Sequence, residues 1–300
     1  TEGEVLLGNL PLFHSFGFTV TLWFALLERI RLVTVSSPLE VKKGLTAIRE
    51  NKVTVLLGTP TFLRPFLRKG TKEDFETVRL VISGAEKTPA GFADQWESAF
   101  SCNYLEGYGL TETSPVLSIN VPGDGSRKGS VGKLMPGVAA RSLDPDSGEP
   151  LAPTQTGLLC FRGPNIFAGY LEEPERSKEV LPGDGWFHTG DLGRFDEDAF
   201  LFIEGRLSRF SKIGGEMVPH GTVEHEVAKV LGVEDGEKPL VAIGSKEDSA
   251  KGESLVLLAV PEVDFDDLRK RLSEAGLTNL WIPKELKRVE EIPMLPTGKL

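Results

Sequence analysis

Through the first hundred residues, short apolar runs alternate with segments of helical period, and this alternation limits the chain to few architectures. Residues 4–10, 31–37, 53–57 and 78–82 read as strands. Between them lie a helix over 41–50, a second that starts at Pro60 with Thr59 as its cap, and a third over 89–100. Strands separated by helices predict a parallel α/β sheet, with a ligand cleft outside the carboxyl ends of its strands. The longest apolar run, 16–27, is too short to span a bilayer and reads as a buried helix.

Two segments fall where that cleft belongs. Ser83-Gly84-Ala85-Glu86 follows the fourth strand. Residues 105–115, Leu-Glu-Gly-Tyr-Gly-Leu-Thr-Glu-Thr-Ser-Pro, follow a short run at 101–104 that reads as the end of another strand. Gly107 and Gly109 predict an irregular turn whose backbone can come close to a ligand on both sides of Tyr108. Tyr108 offers a flat apolar ring, Thr111 a hydroxyl and Glu112 a carboxylate, a set that suits a Mg-nucleotide. A surface loop around one core tyrosine fits the same string. His14, in Pro11-Leu12-Phe13-His14-Ser15-Phe16-Gly17, sits at a strand-to-helix junction, where a histidine either faces a cleft or serves as a satisfied structural group.

After the α/β subdomain, 1–120, the texture changes. Gly, Pro and Asp punctuate short runs over 121–207 and predict an antiparallel, barrel-like β subdomain. It contains Gly185-Trp186-Phe187-His188-Thr189-Gly190-Asp191-Leu192-Gly193, and Glu204-Gly205-Arg206 comes after its last strand. Asp191 can accept hydrogen bonds from both hydroxyls of a ribose, and Arg206 can clamp phosphate or ribose oxygens. The plain readings are a turn residue and a surface charge. Residues 208–300 predict a small α+β domain with adjacent Gly214-Gly215, a helix running through 230, strands over 240–244 and 255–260, and a helix capped by Asp264. Near its end stands Lys299, either a mobile charge that visits the cleft or a frayed terminal lysine.

A formal net charge of −10 excludes a non-specific nucleic-acid binder, which needs basic surface. Two cysteines, Cys102 and Cys160, exclude a Cys-based zinc framework and point to a reducing, cytoplasmic compartment. The acidic start, Thr1-Glu2-Gly3-Glu4, lacks a signal-peptide pattern.

Four ordered strings resemble the adenylate-forming superfamily of acyl- and aryl-CoA synthetases, peptide-synthetase adenylation domains and luciferases. They are Tyr-Gly-Leu-Thr-Glu-Thr at 108–113, His-Thr-Gly-Asp-Leu-Gly at 188–193, Gly-Arg at 205–206 and Pro-x-x-x-x-Gly-Lys at 293–299. Residues 209–226 and 251–255 look most like the acyl-acyl-carrier-protein synthetase module of bifunctional 2-acylglycerophosphoethanolamine acyltransferases, which implies a place in phospholipid metabolism.

The resemblance implies that ATP lies against Gly84, Ala85, Glu86, Glu106, Gly107, Gly109 and Leu110, with Tyr108 stacking on the base. It gives Thr111 the α-phosphate, Glu112 the Mg²⁺, and Asp191 the ribose with Arg206 assisting. His14 would stand beside the acyl pocket, and Lys299 would bridge carboxylate and phosphate oxygens. Ser208 stands two places after the Gly-Arg pair, where the family's hinge residue is an aspartate or lysine. The family's Ser/Thr/Gly-rich phosphate loop belongs upstream of the segment around His14 and has no counterpart here. The expectation is therefore an AMP-forming fatty acid ligase whose upstream part lies elsewhere in the same protein, impaired as this fragment. Its parent protein is expected in the cytoplasm or on the cytoplasmic face of the membrane. The expected thiol acceptor is acyl carrier protein. The alternatives are a fatty acyl-CoA ligase and a non-catalytic fragment that binds nucleotide or acyl group.

Overall fold

The computed structural model describes residues 3–232, 239–249, 251–260 and 263–294. The chain divides into two compact units at Glu204/Gly205.

The first unit opens with a seven-stranded sheet. In chain order its strands are β1 (Val5–Gly8), β2 (Arg31–Thr34), β3 (Val55–Gly58), β4 (Leu80–Ser83), β5 (Asn103–Gly109), β6 (Val116–Ile119) and β7 (Lys133–Leu134). They lie side by side as β2-β1-β3-β4-β5-β6-β7. The first five are parallel; β6 and β7 are antiparallel. The strands are joined by a π-helical segment (Gly17–Trp23) continued by α1 (Phe24–Leu27), then by α2 (Val41–Asn51), α3 (Pro60–Lys69) and α4 (Phe92–Phe100). Thr59 caps α3 as expected, its hydroxyl accepting from Phe62 N–H at 3.3 Å. The chain leaves β1 toward β2 on one side, and β3 pairs with β1 on the other. The strand order thus reverses at β1/β3, the position where open sheets of this kind leave a crevice. The core on one face is aromatic: Trp96 meets Phe75 and Phe100 with ring centroids 5.4 and 5.0 Å away.

Two expectations are corrected. Run 16–27 is helical, but only Gly17, Thr21 and Ala25, spaced by four, are buried. Phe18, Trp23, Phe24, Leu26 and Leu27 stay exposed, because apolar residues surround this helix and only one narrow face of it packs. The Tyr108 segment is no turn: β5 runs through both glycines to Gly109. Its first half pairs in parallel with β4 and its last three residues pair antiparallel with β6, and the irregularity is a register shift between Tyr108 and Gly109.

The second sheet of this unit is antiparallel, with order β12-β11-β10-β8-β9. Its strands are β8 (Ala139–Leu143), β9 (Pro150–Leu151), β10 (Gly157–Arg162), β11 (Phe187–Phe195) and β12 (Leu201–Arg206), with α5 (Pro174–Val180) between β10 and β11.

The second unit carries β13 (Phe210–Ile213), β14 (Glu216–Pro219), α6 (His220–Leu231), β15 (Val241–Asp248), β16 (Gly252–Ala259), α7 (Phe265–Glu274) and β17 (Glu285–Arg288). Gly214 and Gly215, with φ of 61° and 88°, form the two-residue hairpin between β13 and β14. Val223 and Val227 of α6 and Leu268 and Leu272 of α7 pack on Ile243 and Leu257 of the sheet. Asp264 caps α7 through a 3.1 Å bond from Asp267 N–H. Among the described residues, no helix is long and apolar enough to cross a membrane.

Candidate functional site

The segments that leave the carboxyl ends of β1, β4 and β5 meet around one cavity of about 90 Å³. His14, Gly84, Ala85, Gly107, Tyr108 and Gly109 line it, and Ile82, Val116 and Ile119 make its wall apolar. His14 is fixed from within its own segment: its Nδ1 accepts from Phe16 N–H at 3.2 Å. In the neutral ring this leaves the proton on Nε2.

The glycines of β5 permit a close approach of chain to chain. A Cβ on Gly109 would lie 1.7 Å from the Pro115 carbonyl oxygen, so only glycine lets β5 fold back against the residues that follow. The turn Thr111–Thr113 that results presents three side chains differently. Thr113 is fully buried, and its hydroxyl accepts from Leu110 N–H at 2.9 Å while bonding to carbonyls of the same turn, so it holds the turn together. Thr111 is exposed, with its hydroxyl 3.2 Å from Ser15 Oγ. Glu112 is half-buried, and its Oε1 accepts from Tyr170 O–H at 2.8 Å.

Asp191 lies on β11 and is 5% exposed. A buried carboxylate requires hydrogen bonds, and Tyr108 O–H donates one to Oδ2 at 2.6 Å. Tyr108 thus joins the cavity wall to the strand that carries Asp191. Glu106 stands opposite Ser83 in the β4–β5 register, and burial raises its carboxyl above the usual range. Leu110 packs beside Tyr108 against the core of the second sheet. Glu86 is exposed and bonds to the start of α3, accepting from Thr61 N–H and Thr61 O–H at 3.1 and 2.7 Å.

Arg206 and Ser208 belong to the second unit, where both are exposed. Arg209 beside them is anchored there, bonded to Glu224 and to the Ile243 carbonyl at 2.5 and 3.1 Å. Lys299 lies outside the described residues. Cys102 and Cys160 are buried, which pushes both thiols up to about 11 and removes them as nucleophiles at neutral pH.

Sequence reading missed Tyr170, Ser15 and Asn165. Asn165 Nδ2 donates to the Thr113 and Val116 carbonyls at 2.8 and 3.0 Å, clamping the Thr111–Thr113 turn from a segment fifty residues on. Two of the chain's three tyrosines, Tyr108 and Tyr170, donate to acids of this site.

The sequence profile of the AMP-binding enzyme family matches residues 1–171. The long-chain-fatty-acid–CoA ligase of Salmonella typhimurium is 29% identical over 301 residues, covering 99% of this chain and 52% of the relative. The 3-hydroxybenzoate–CoA/4-hydroxybenzoate–CoA ligase of Thauera aromatica is 32% identical over 270 residues, 87% of this chain and 50% of its own. Among solved structures, ATP-bound MatB from Rhodopseudomonas palustris is similar with a TM-score of 0.83 and 30% identity, over 99% of this chain and 58% of that one. The chain spans about half the length of the curated relatives it matches. Its profile match, its parallel sheet with an antiparallel second sheet, and the cavity beside Tyr108 agree: the chain belongs to the AMP-binding enzyme family.

Proposed function

We propose that the protein carrying this chain is an AMP-forming ligase that joins a fatty acid to an external thiol at the expense of ATP. The observation that carries this reading is the Tyr108–Asp191 hydrogen bond: Tyr108 lines the apolar cavity, and Thr111, beside Glu112 in the next turn, lies against Ser15, another of its lining residues. Adenine packs against Tyr108 and the backbone of Gly84, Ala85, Glu86, Glu106, Gly107, Gly109 and Leu110. Asp191 accepts from the ribose hydroxyls, assisted by Arg206. Thr111, whose hydroxyl is exposed, holds the α-phosphate. The acyl chain enters the cavity beside His14, and its apolar wall suits a hydrocarbon.

Among the described residues, no cluster of three His, Cys, Asp or Glu side chains is arranged to hold a metal. Mg²⁺ in nucleotide enzymes needs no such cage, since one or two carboxylates and the substrate phosphates suffice. Glu112 fits that role: one carboxylate oxygen is taken by Tyr170, and the other has no hydrogen-bond partner among the described residues. When bound, the ion supplies charge neutralisation at the phosphates.

In the first half-reaction, a carboxylate oxygen of the fatty acid attacks the α-phosphorus, the bond to the β-phosphate oxygen breaks, and pyrophosphate leaves. Lys299 neutralises charge as this happens. In the second, the thiol attacks the acyl carbonyl and AMP leaves, after the second unit has turned about Ser208. Neither cysteine of this chain is suited to supply the thiol, because both are buried and burial pushes their thiols up to about 11. CoA is the acceptor supported by the names of the relatives.

Acyl carrier protein is the second reading, favoured by the likeness of residues 209–226 to a carrier-protein synthetase. Its acidic surface needs a basic patch to dock on. The basic residues that offer one are largely paired: Lys284 with Asp248 at 3.1 Å, Lys270 with Glu274 at 4.0 Å, Arg271 with Asp267 at 3.7 Å and Lys287 with Glu285 at 3.9 Å.

Fatty-acid-dependent exchange of labelled pyrophosphate into ATP by the intact protein tests this reading. Exchange that needs fatty acid and Mg²⁺ and is lost in Asp191→Ala supports it. ATP turnover to ADP, or exchange indifferent to fatty acid, overturns it.

A further inference from the structure

Glu112 is gripped at both its main chain and its side chain by one segment. Phe167 N–H donates to the Glu112 carbonyl at 2.9 Å, and three residues later Tyr170 O–H donates to its carboxylate at 2.8 Å. That segment is itself anchored. Tyr170 N–H donates to Ser177 Oγ of α5 at 2.8 Å, and the Phe167 ring meets the Tyr170 ring edge-on at 4.9 Å. The Arg176 guanidinium, also on α5, lies over the Tyr170 ring at 4.4 Å from its centroid and feels the charge of Glu112. A cation held over a phenol ring draws electron density from its hydroxyl and makes it a better donor.

We infer that Tyr170 is a positioning residue: it occupies Glu112 Oε1, so that only Oε2 is free to meet a metal ion, and thereby sets a single-oxygen ligand suited to Mg²⁺. The inference rests on Glu112 as the metal ligand in the proposed function. Mg²⁺ demands near-octahedral geometry and takes a carboxylate through one oxygen, whereas the larger Ca²⁺ accepts both. A hydrogen bond to the second oxygen therefore does two things. It fixes the carboxylate rotamer, and it withholds the oxygen that a Ca²⁺ ion would use. Partners of this kind behind a ligand change metal affinity by about 10–100-fold when removed.

The test uses the intact protein and titrates Mn²⁺ in the presence of ATP, followed by the electron paramagnetic resonance of free Mn²⁺, with Ca²⁺ as competitor. Tyr170→Phe keeps the ring, its contact with Phe167 and its place under Arg176, and removes only the donor. It is expected to weaken protein-bound Mn²⁺·ATP by about tenfold. ATP binding without metal and the circular dichroism spectrum stay unchanged, and Ca²⁺ competes better than in wild type. Glu112→Gln separates the two ideas. If Glu112→Gln loses Mn²⁺·ATP and Tyr170→Phe binds it as wild type does, the positioning role is overturned and Glu112 stands as ligand. If Glu112→Gln itself binds Mn²⁺·ATP at wild-type affinity, the ligand reading falls and takes this inference with it.

Discussion

Tyr108 and Asp191, 83 residues apart in sequence, share a 2.6 Å hydrogen bond that ties the end of the parallel sheet to the middle of β11. The bond serves the fold and the site at once. It satisfies a carboxylate that is 5% exposed, and it holds the aromatic face and the acid at a fixed spacing. Removing the hydroxyl in Tyr108→Phe is expected to cost about 1.5–3 kcal/mol, the range for a hydrogen bond to a charged group. The readout is the urea midpoint of the first unit. An unchanged midpoint would mean that water replaces the phenol without loss.

The glycines of the site differ in how much they matter. A Cβ on Gly109 would collide with the Pro115 carbonyl, whereas one on Gly84 would sit 3.4 Å from the Gly107 carbonyl, an ordinary contact. Gly109→Ala is expected to destabilise the first unit by about 3 kcal/mol and to abolish Mn²⁺·ATP binding by displacing Thr111 and Glu112. Gly84→Ala is expected to stay within about 1 kcal/mol of wild type. Equal midpoints for the two variants would contradict the close approach at Gly109.

In the second unit, Ser211 Oγ and His220 Nε2 lie 2.7 Å apart, and both residues are buried. Burial first, then the nearby Arg209 guanidinium, lowers the His220 pKa from 6.5 to about 4, against the opposing pull of Glu253. The folded state therefore binds fewer protons than the unfolded state between these values, and stability rises with pH. The full contribution is present above about pH 6.5 and is lost as pH falls toward 4, by no more than about 3 kcal/mol. Denaturant midpoints of the second unit from pH 7 to pH 4.5 should fall in wild type and flatten in His220→Gln. A wild-type slope kept by His220→Gln would assign the effect to other groups.

Charge bears on the choice of acceptor. Lys284 already pairs with Asp248, and a paired cation adds little long-range field to steer an acidic protein. With the intact protein, kcat/KM for CoA is expected to exceed that for acyl carrier protein, and Lys284→Glu to change neither by more than about twofold. A preference for the carrier protein that falls with salt and with this reversal would move the assignment to the carrier-protein ligases.

The strand–helix alternation was legible because β1, β3 and β4 are short apolar runs and Thr59 marks the start of α3. The two acids of the candidate site, Glu112 and Asp191, sit inside recognisable strings. What joins them was not legible. Tyr170 stands in a charged stretch, 170–179, whose composition says only that it is exposed, and its bond to Glu112 spans 58 residues. The path of β5 through Gly107 and Gly109 was also hidden, since two glycines signal a turn locally and only the pairing with β6 makes them a strand. The exposed side of 17–27 was misread for a related reason: a helix apolar all round does not say which face finds a partner.

The central claim, that a fatty acid is activated through its carboxylate at the α-phosphate, is tested most directly by isotope transfer. The intact protein is given a fatty acid labelled with ¹⁸O in its carboxylate, together with ATP, Mg²⁺ and CoA, and the AMP is analysed by mass spectrometry. Attack of a carboxylate oxygen on the α-phosphorus, followed by thiol attack on the carbonyl, leaves that oxygen on AMP. The account predicts one labelled oxygen in AMP for each thioester formed. Label in inorganic phosphate with ADP as the product, or thioester formed with unlabelled AMP, would contradict it.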